Sequence, residues 1–377
     1  MNFSQGQGMG AAAALMLFSL GEGFLLCASE NTELPEGFPL WQKSAQLRAG
    51  LGYKDNVTLS NFDRQDSAFE TLSADAMLFR LPWNNWQVSL MAVGSDTRYL
   101  DRSILVDKEQ NAAVSGEFAW FLGRGWKSLS TLQYVFLNQV MDVSTTYGAS
   151  SPQQVFGHLL SFEEGVRKDA GPWWTELELS GARGWFREPL DDYWQAGPGL
   201  TLGRRYGDES EVALSYRVFP LTYDRREQTD RVGMPIPDTR LRYLTQTLEL
   251  AWRQSLDARS RWRNTLRLGL ETNRDNGTGY YDYTQYRITE QIRFRAAGWD
   301  LSALASAVHY EFPRQPISLD DTRSRHRTSI LVGLRGEKAL SQRWRVYAAY
   351  DFEQSFSNLN LDCYKANTVS GGVAFAF

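Results

Sequence analysis

Arg267, Arg287 and Arg293 in one half of the chain, and Glu117, Glu163, Glu176 and Glu178 in the other, all stand at the polar positions of alternating segments. Guanidinium groups stay charged and present a planar fork that matches carboxylates and phosphates. Carboxylates on one face can hold cations or neutralise such guanidiniums. Arg48 and Asp75 share that face in the first half, and Arg263, Arg335, Arg343, Arg345, Glu249 and Glu271 share it in the second. Arg335, Arg343 and Arg345 lie close to a short turn. Two readings stay open. The charges pair between neighbouring segments and make a solvated polar wall. Or one wall is a basic stripe along the path of an anionic solute.

Other chemistry is poorly provided for. The three histidines, His158, His309 and His326, are scattered, with His326 in a loop, and no GxSxG elbow accompanies them. Cys27 and Cys363 suffice neither for a disulfide framework nor, with three histidines, for a zinc site. GPGLTLG is glycine-rich but lies in an extended segment with no helix after it, so it makes no dinucleotide turn. Acidic stretches such as SLDD and YKDN could take calcium, but water-facing loops are acidic for solubility too. The expectation is no catalytic site, no metal and no cofactor. A formal net charge of -4 gives no basic field for nucleic acid.

The positioning elements are strands. The chain has 377 residues, 42% hydrophobic, with 13 Trp. Beyond the N-terminus the dominant period is two. We place about sixteen strands, near 44–54, 68–81, 85–95, 112–122, 126–141, 155–167, 172–182, 193–205, 210–220, 240–254, 261–272, 280–296, 299–312, 326–337, 342–353 and 366–377. Their connections alternate. PWNN, GRG, KDAGP, AAG and EKALSQ are short, whereas KDNVTLSNFDRQD, MDVSTTYGASSPQQ and TYDRREQTDRVGMPIPDT are long. Pro198 suggests an irregularity or bulge in its strand.

Trp86, Trp126, Trp173, Trp262, Trp299 and Trp344 each follow a short turn at once, and Trp41 could do the same for the first strand. Trp carries an apolar body and a polar N–H, the combination that prefers a membrane interface. Tyr310, Phe312, Tyr350 and Phe352 would belong to the opposite rim. Even strand number, alternating turn lengths and aromatic girdles are the marks of an all-β, membrane-spanning, antiparallel up-and-down barrel. A soluble propeller would need a four-strand period, which is missing. At this strand number the lumen is wide enough for water unless loops fill it.

Residues 1–28 read as a signal peptide, with cleavage expected after Ala28. Residues 29–43 would be a short periplasmic segment and 44–377 the barrel. NTVSGGVAFAF, with Val369, Gly371, Val373, Phe375 and a terminal Phe377, resembles the C-terminal signature of bacterial outer-membrane β-barrels. That resemblance implies outer-membrane lipid and the outer-membrane barrel assembly machinery as partners, and Phe375 and Phe377 as assembly signal. LRAGLGYKDNVTLS followed by DSAF is similar to the barrel opening of surface lipoprotein assembly modifiers. The helical repeats of those proteins have no room in the ~15 residues before the first strand. The expectation is a porin-like channel in the outer membrane of a diderm bacterium, passing small hydrophilic solutes with a leaning to anions. The alternatives are an export or assembly barrel for polysaccharide or surface proteins with a periplasmic partner, and a structural or adhesive barrel.

Overall fold

The computed structural model describes residues 40–141, 143, 153–187, 190–207, 209–318 and 320–377. The expected signal peptide, residues 29–39 and most of the loop between the fifth and sixth strands lie outside the described residues.

The strands are β1 (Trp41–Lys54), β2 (Ser67–Trp83), β3 (Trp86–Tyr99), β4 (Lys108–Gly123), β5 (Trp126–Met141), β6 (Gln153–Ala170), β7 (Trp173–Phe186) and β8 (Tyr193–Gly207). They continue as β9 (Ser210–Tyr223), β10 (Arg242–Ser255), β11 (Trp262–Asp275), β12 (Tyr283–Ala296), β13 (Trp299–Pro316), β14 (Ser324–Ala339), β15 (Trp344–Ser357) and β16 (Tyr364–Ala376). Each pairs antiparallel with its neighbours in sequence, and β1 pairs with β16, so the sheet is a closed barrel. Closure leaves no free edge and satisfies the backbone inside the sheet, the condition for crossing lipid. β1 starts at Trp41 rather than at residue 44, because Trp41 already pairs with Arg80.

The short turns have the backbone such turns demand. Asn84 and Asn85 have φ of 52° and 64°, and Ala297 and Gly298 have 51° and 76°. Two successive positive φ values match the right-handed twist of the flanking strands. β3, β5, β7, β11, β13 and β15 then begin on Trp86, Trp126, Trp173, Trp262, Trp299 and Trp344. All but Trp86 are largely exposed, and Trp86 carries the Arg80 guanidinium 3.4 Å from its ring centre. β9 starts on Ser210, and Trp252 of β10, opposite Val212, takes the girdle position there. Sequence reading missed it because this Trp ends its strand instead of beginning one.

Leu, Val and aromatic residues occupy the exposed rows: Leu266, Leu268 and Leu270 on β11, Tyr286 and Ile288 on β12, Leu177 and Leu179 on β7. Intervening residues face inward. Register stays constant across Pro198: Gln195 pairs with Leu221 and Gly199 with Arg217, with the pairs between them missing. The feature is a gap in the ladder to β9, not a bulge, because proline has no N–H to offer. At the closing seam Gly50 faces Gly372, and a Cβ on Gly372 would lie 2.1 Å from the Ala49 carbonyl oxygen. Glycine there lets the first and last strands approach.

A charge on the outward face at mid-membrane costs about 2–4 kcal/mol. Leu268→Arg is therefore expected to block assembly, whereas Arg267→Leu keeps a folded barrel. Mobility of unheated samples in SDS gels reads the difference, and equal loss of folded band in both would contradict the face alternation.

Candidate functional site

The candidate site is the inner wall, which different strands build from different materials. β4 to β7 carry the carboxylates. Glu117 on β4 pairs with Thr131, and Glu163 on β6 pairs with Thr131 and Ser180. Glu176 and Glu178 follow on β7, and one carboxylate oxygen from each of Glu163, Glu176 and Glu178 lies within 4.8 Å of the other two. Sequence reading placed these three on one face but did not foresee the cluster, because the register between β6 and β7 decides it.

Cations temper the cluster. Arg217 of β9 grips Glu178 fork on fork, with Nη2 donating to Oε2 at 3.0 Å and Nε donating to Oε1. The two side chains meet over β8 at Gly199, which pairs with both residues and where a Cβ would lie 2.4 Å from the Glu178 carboxylate. Glycine on the middle strand is what lets the pair lie flat on the wall. Arg167 stacks on Trp174 at 3.7 Å and stands 3.9 Å from Glu176.

The arginines of the other half form a ladder. Arg287 and Arg293 are six residues apart on β12, about 20 Å along the strand. Arg267 of β11 pairs with Thr289, between them. They do not form a ring at one level. Arg287 donates to Glu249 at 2.8 Å, across Gly269 of β11, repeating the arrangement over Gly199. Arg293 is held by Asp300 at 2.7 and 2.9 Å, and Arg345 by Glu337 at 2.7 Å. Arg267 is nine-tenths buried in the wall. Arg335 stays exposed, and Arg343 lies in the turn before β15 rather than on a strand. Pairing between neighbouring strands, the first of the two readings, is the arrangement of Arg293 with Asp300 of β13, whereas Arg287 pairs one strand further away, with Glu249 of β10.

The long-loop end is lined with apolar residues that periodicity alone did not single out. Val57 and Leu59, in the loop after β1, bury against Phe69, Tyr99, Val140, Tyr364 and Ala366. Asn56 pins this loop by donating to the carbonyls of Ser60 and Lys365, both at 2.9 Å. In the strand order the facing wall is β9 and β10. There Leu221, Tyr223, Leu241, Tyr243 and Tyr281 form a second buried cluster, with Arg226 over Tyr281 at 4.5 Å. Tyr310 and Phe312 belong inside too, not to an outer girdle. They occupy even positions of β13, and Phe312 is 1% exposed beneath the Arg325 guanidinium. Arg325 is itself buried against Asp362, at 2.6 Å.

His309 and His326 are less scattered than the sequence suggests. Both sit on strands, with ring centres 6.4 Å apart, and His309 bonds Thr328 at 2.8 Å. His158 bonds Tyr134 at 2.7 Å. Phe375 packs edge-on against Trp344 and against Phe377, both at 4.9 Å, and the Phe377 N–H donates to the Ala45 carbonyl at 2.9 Å.

Fold and wall together define a β-barrel of the outer-membrane class, apolar outside and polar inside. No family model and no curated protein matches the chain. Among solved structures it is similar to OccAB1 of Acinetobacter baumannii, at 9% identity over 93% of this chain and 99% of that one, with a TM-score of 0.48. It is also similar to OccD1 (OprD), at 10% identity over 89% and 95% and a TM-score of 0.45, and to OmpT of Vibrio cholerae, at 14% over 89% and 97% and 0.41. The closed barrel itself stands on this chain's own strand pairing.

Two outcomes follow from the wall. Glu178→Ala removes the fork partner of the buried Arg217 and should destabilise the barrel by about 3 kcal/mol in urea unfolding, most of it recovered by a paired apolar replacement of both residues. In the loop after β1, burial acts to raise the Asp55 carboxyl, but bonds from Asn367 and Arg64 outweigh it and hold the carboxyl below 3.8. A lowered value means the anchoring is complete above the ordinary value and is lost as pH falls through the lowered one. Hydrogen exchange of residues 56–66, corrected for intrinsic rates, should stay slow at pH 6 and speed up only below pH 3.8.

Proposed function

We propose that this chain is a non-enzymatic outer-membrane channel that passes small hydrophilic solutes. One observation carries the reading: the inward rows of a closed sixteen-strand barrel carry polar and charged residues from the short-turn end through the middle, and apolar clusters only toward the long-loop end. A wall of that kind is stable against water and costly against anything dry. Acidic β4–β7 stand opposite arginine-rich β12–β15 in the strand order, so a solute passes through a transverse field. Because Arg287 and Arg293 are partnered, their carboxylates moderate the leaning to anions that the arginine ladder supports. The inward loop after β1 and the aromatic cluster opposite narrow the long-loop end and set the size limit there. In this reading the last strand, through Phe375 and Phe377, is the segment read by the barrel assembly machinery.

Planar-bilayer recordings across a salt gradient test this. The refolded barrel should give steady single-channel steps with a modest preference for chloride. Arg287→Gln leaves Glu249 without its guanidinium and should move the reversal potential toward cation preference, while Asn56→Ala loosens the inward loop and should raise conductance. A folded barrel that stays silent, also as Asn56→Ala, would sink the channel reading in favour of an export barrel opened by a partner.

A further inference from the structure

The outer wall carries a feature that a uniform lipid belt does not require. On β13, β14 and β15 the outward rows turn small a few residues in from the short turns, at Ala303, Gly336 and Ala348, beyond Trp299, Lys338 and Trp344 at the rim. They floor an apolar groove of ≈ 510 Å³, walled by Trp262 and Phe294 on one side and by Leu334 and Tyr350 on the other. That volume falls within the roughly 300–1,000 Å³ of ligand pockets. Trp262 and Phe294 are locked together, ring centres 4.6 Å apart, so the wall is firm. On β12 the apolar lining ends at Ile292, and the next outward residue, Glu290, accepts from Asn264 at 3.3 Å.

A cation stands at the groove's interfacial end. Lys338 pairs with Trp299 across β13 and β14, two residues from Gly336 on the same outward row. Its Nζ lies 4.9 Å from the Trp299 ring centre and donates to the Ala297 carbonyl at 2.8 Å. An ammonium has three donors, so this bond leaves capacity toward the membrane surface. The pairing recurs around the rim: Lys168 lies over Trp126 at 5.1 Å and Arg204 over Trp173 at 5.2 Å. The groove is found beside the Lys338 pair.

The geometry points to a binding site for one anionic phospholipid of the leaflet at the short-turn end, its phosphate at Lys338 and one acyl chain along Gly336, Ala303 and Ala348. The site requires the membrane-spanning barrel but not the channel activity. Charge complementarity selects this occupant. A second copy docked here about a two-fold axis would bring its own Lys338 toward this one.

Native mass spectrometry of the detergent-purified barrel, titrated with dioleoyl phosphatidylglycerol and separately with the zwitterionic phosphatidylcholine, tests the site. The barrel should retain one phosphatidylglycerol in preference to phosphatidylcholine. Lys338→Gln should weaken phosphatidylglycerol about fivefold and leave phosphatidylcholine unchanged. Gly336→Leu fills the floor and should abolish the single retained lipid. Ala348→Leu does the same and serves if the first variant folds poorly. Equal retention of both lipids by the unaltered barrel, or retention indifferent to both fillings, overturns the proposal. A dimer that either filling dissolves overturns it too and assigns the groove to a second copy.

Discussion

Backbone hydrogen bonds have no substitute inside lipid, and that constraint governs the molecule. A sheet satisfies them only when it closes, and closure sets β1 against β16 at a seam of glycines. Once the sheet is closed, every strand separates two solvents, and the period of the strand assigns each residue to one of them. Mostly apolar rows outside, rows rich in charge inside and tryptophans at the turn from water to lipid all follow from that separation.

The inner wall solves a second problem. Charges that face a lumen still crowd one another, and the structure relieves the crowding by laying ion pairs across a middle strand. Glu178 reaches Arg217 over Gly199, and Arg287 reaches Glu249 over Gly269. The wall is therefore polar without being a set of free charges, and selectivity becomes a balance between partnered groups. Small residues serve differently on the outer face, where Ala303, Gly336 and Ala348 open a groove beside a cation.

Much of this was legible beforehand. Period two located every strand, and six of the seven short turns are followed at once by a Trp on which the next strand begins, although the expected starts agree to the residue only at 126 and 299 among these. That legibility has a physical source, since lipid outside and water inside impose the alternation residue by residue. Strand ends at the long-loop side scatter both ways, too short at 312 against Pro316 on β13 and too long at 280 against Tyr283 on β12, because beyond the lipid nothing enforces the pattern. For the same reason Phe312 was read as rim and lies inside. Partnership was illegible. Which Glu meets which Arg depends on register and on glycines of a third strand, and neither can be read from one strand at a time. The inward loop around Val57 and Leu59 was hidden as well, since two apolar residues in a polar loop have no periodicity.

The central claim is that alternate residues of one strand meet lipid and water. Spin labels placed singly along β12, with Cys27 and Cys363 replaced, measure it through collisions with oxygen and with a water-soluble paramagnetic reagent. Labels at Tyr286, Ile288 and Ile292 should favour oxygen, and labels at Arg287, Gln291 and Arg293 the water-soluble reagent, in strict alternation. Inward labels that reach neither reagent would mean a dry, filled interior, and labels without alternation would mean that the strand does not separate the two solvents.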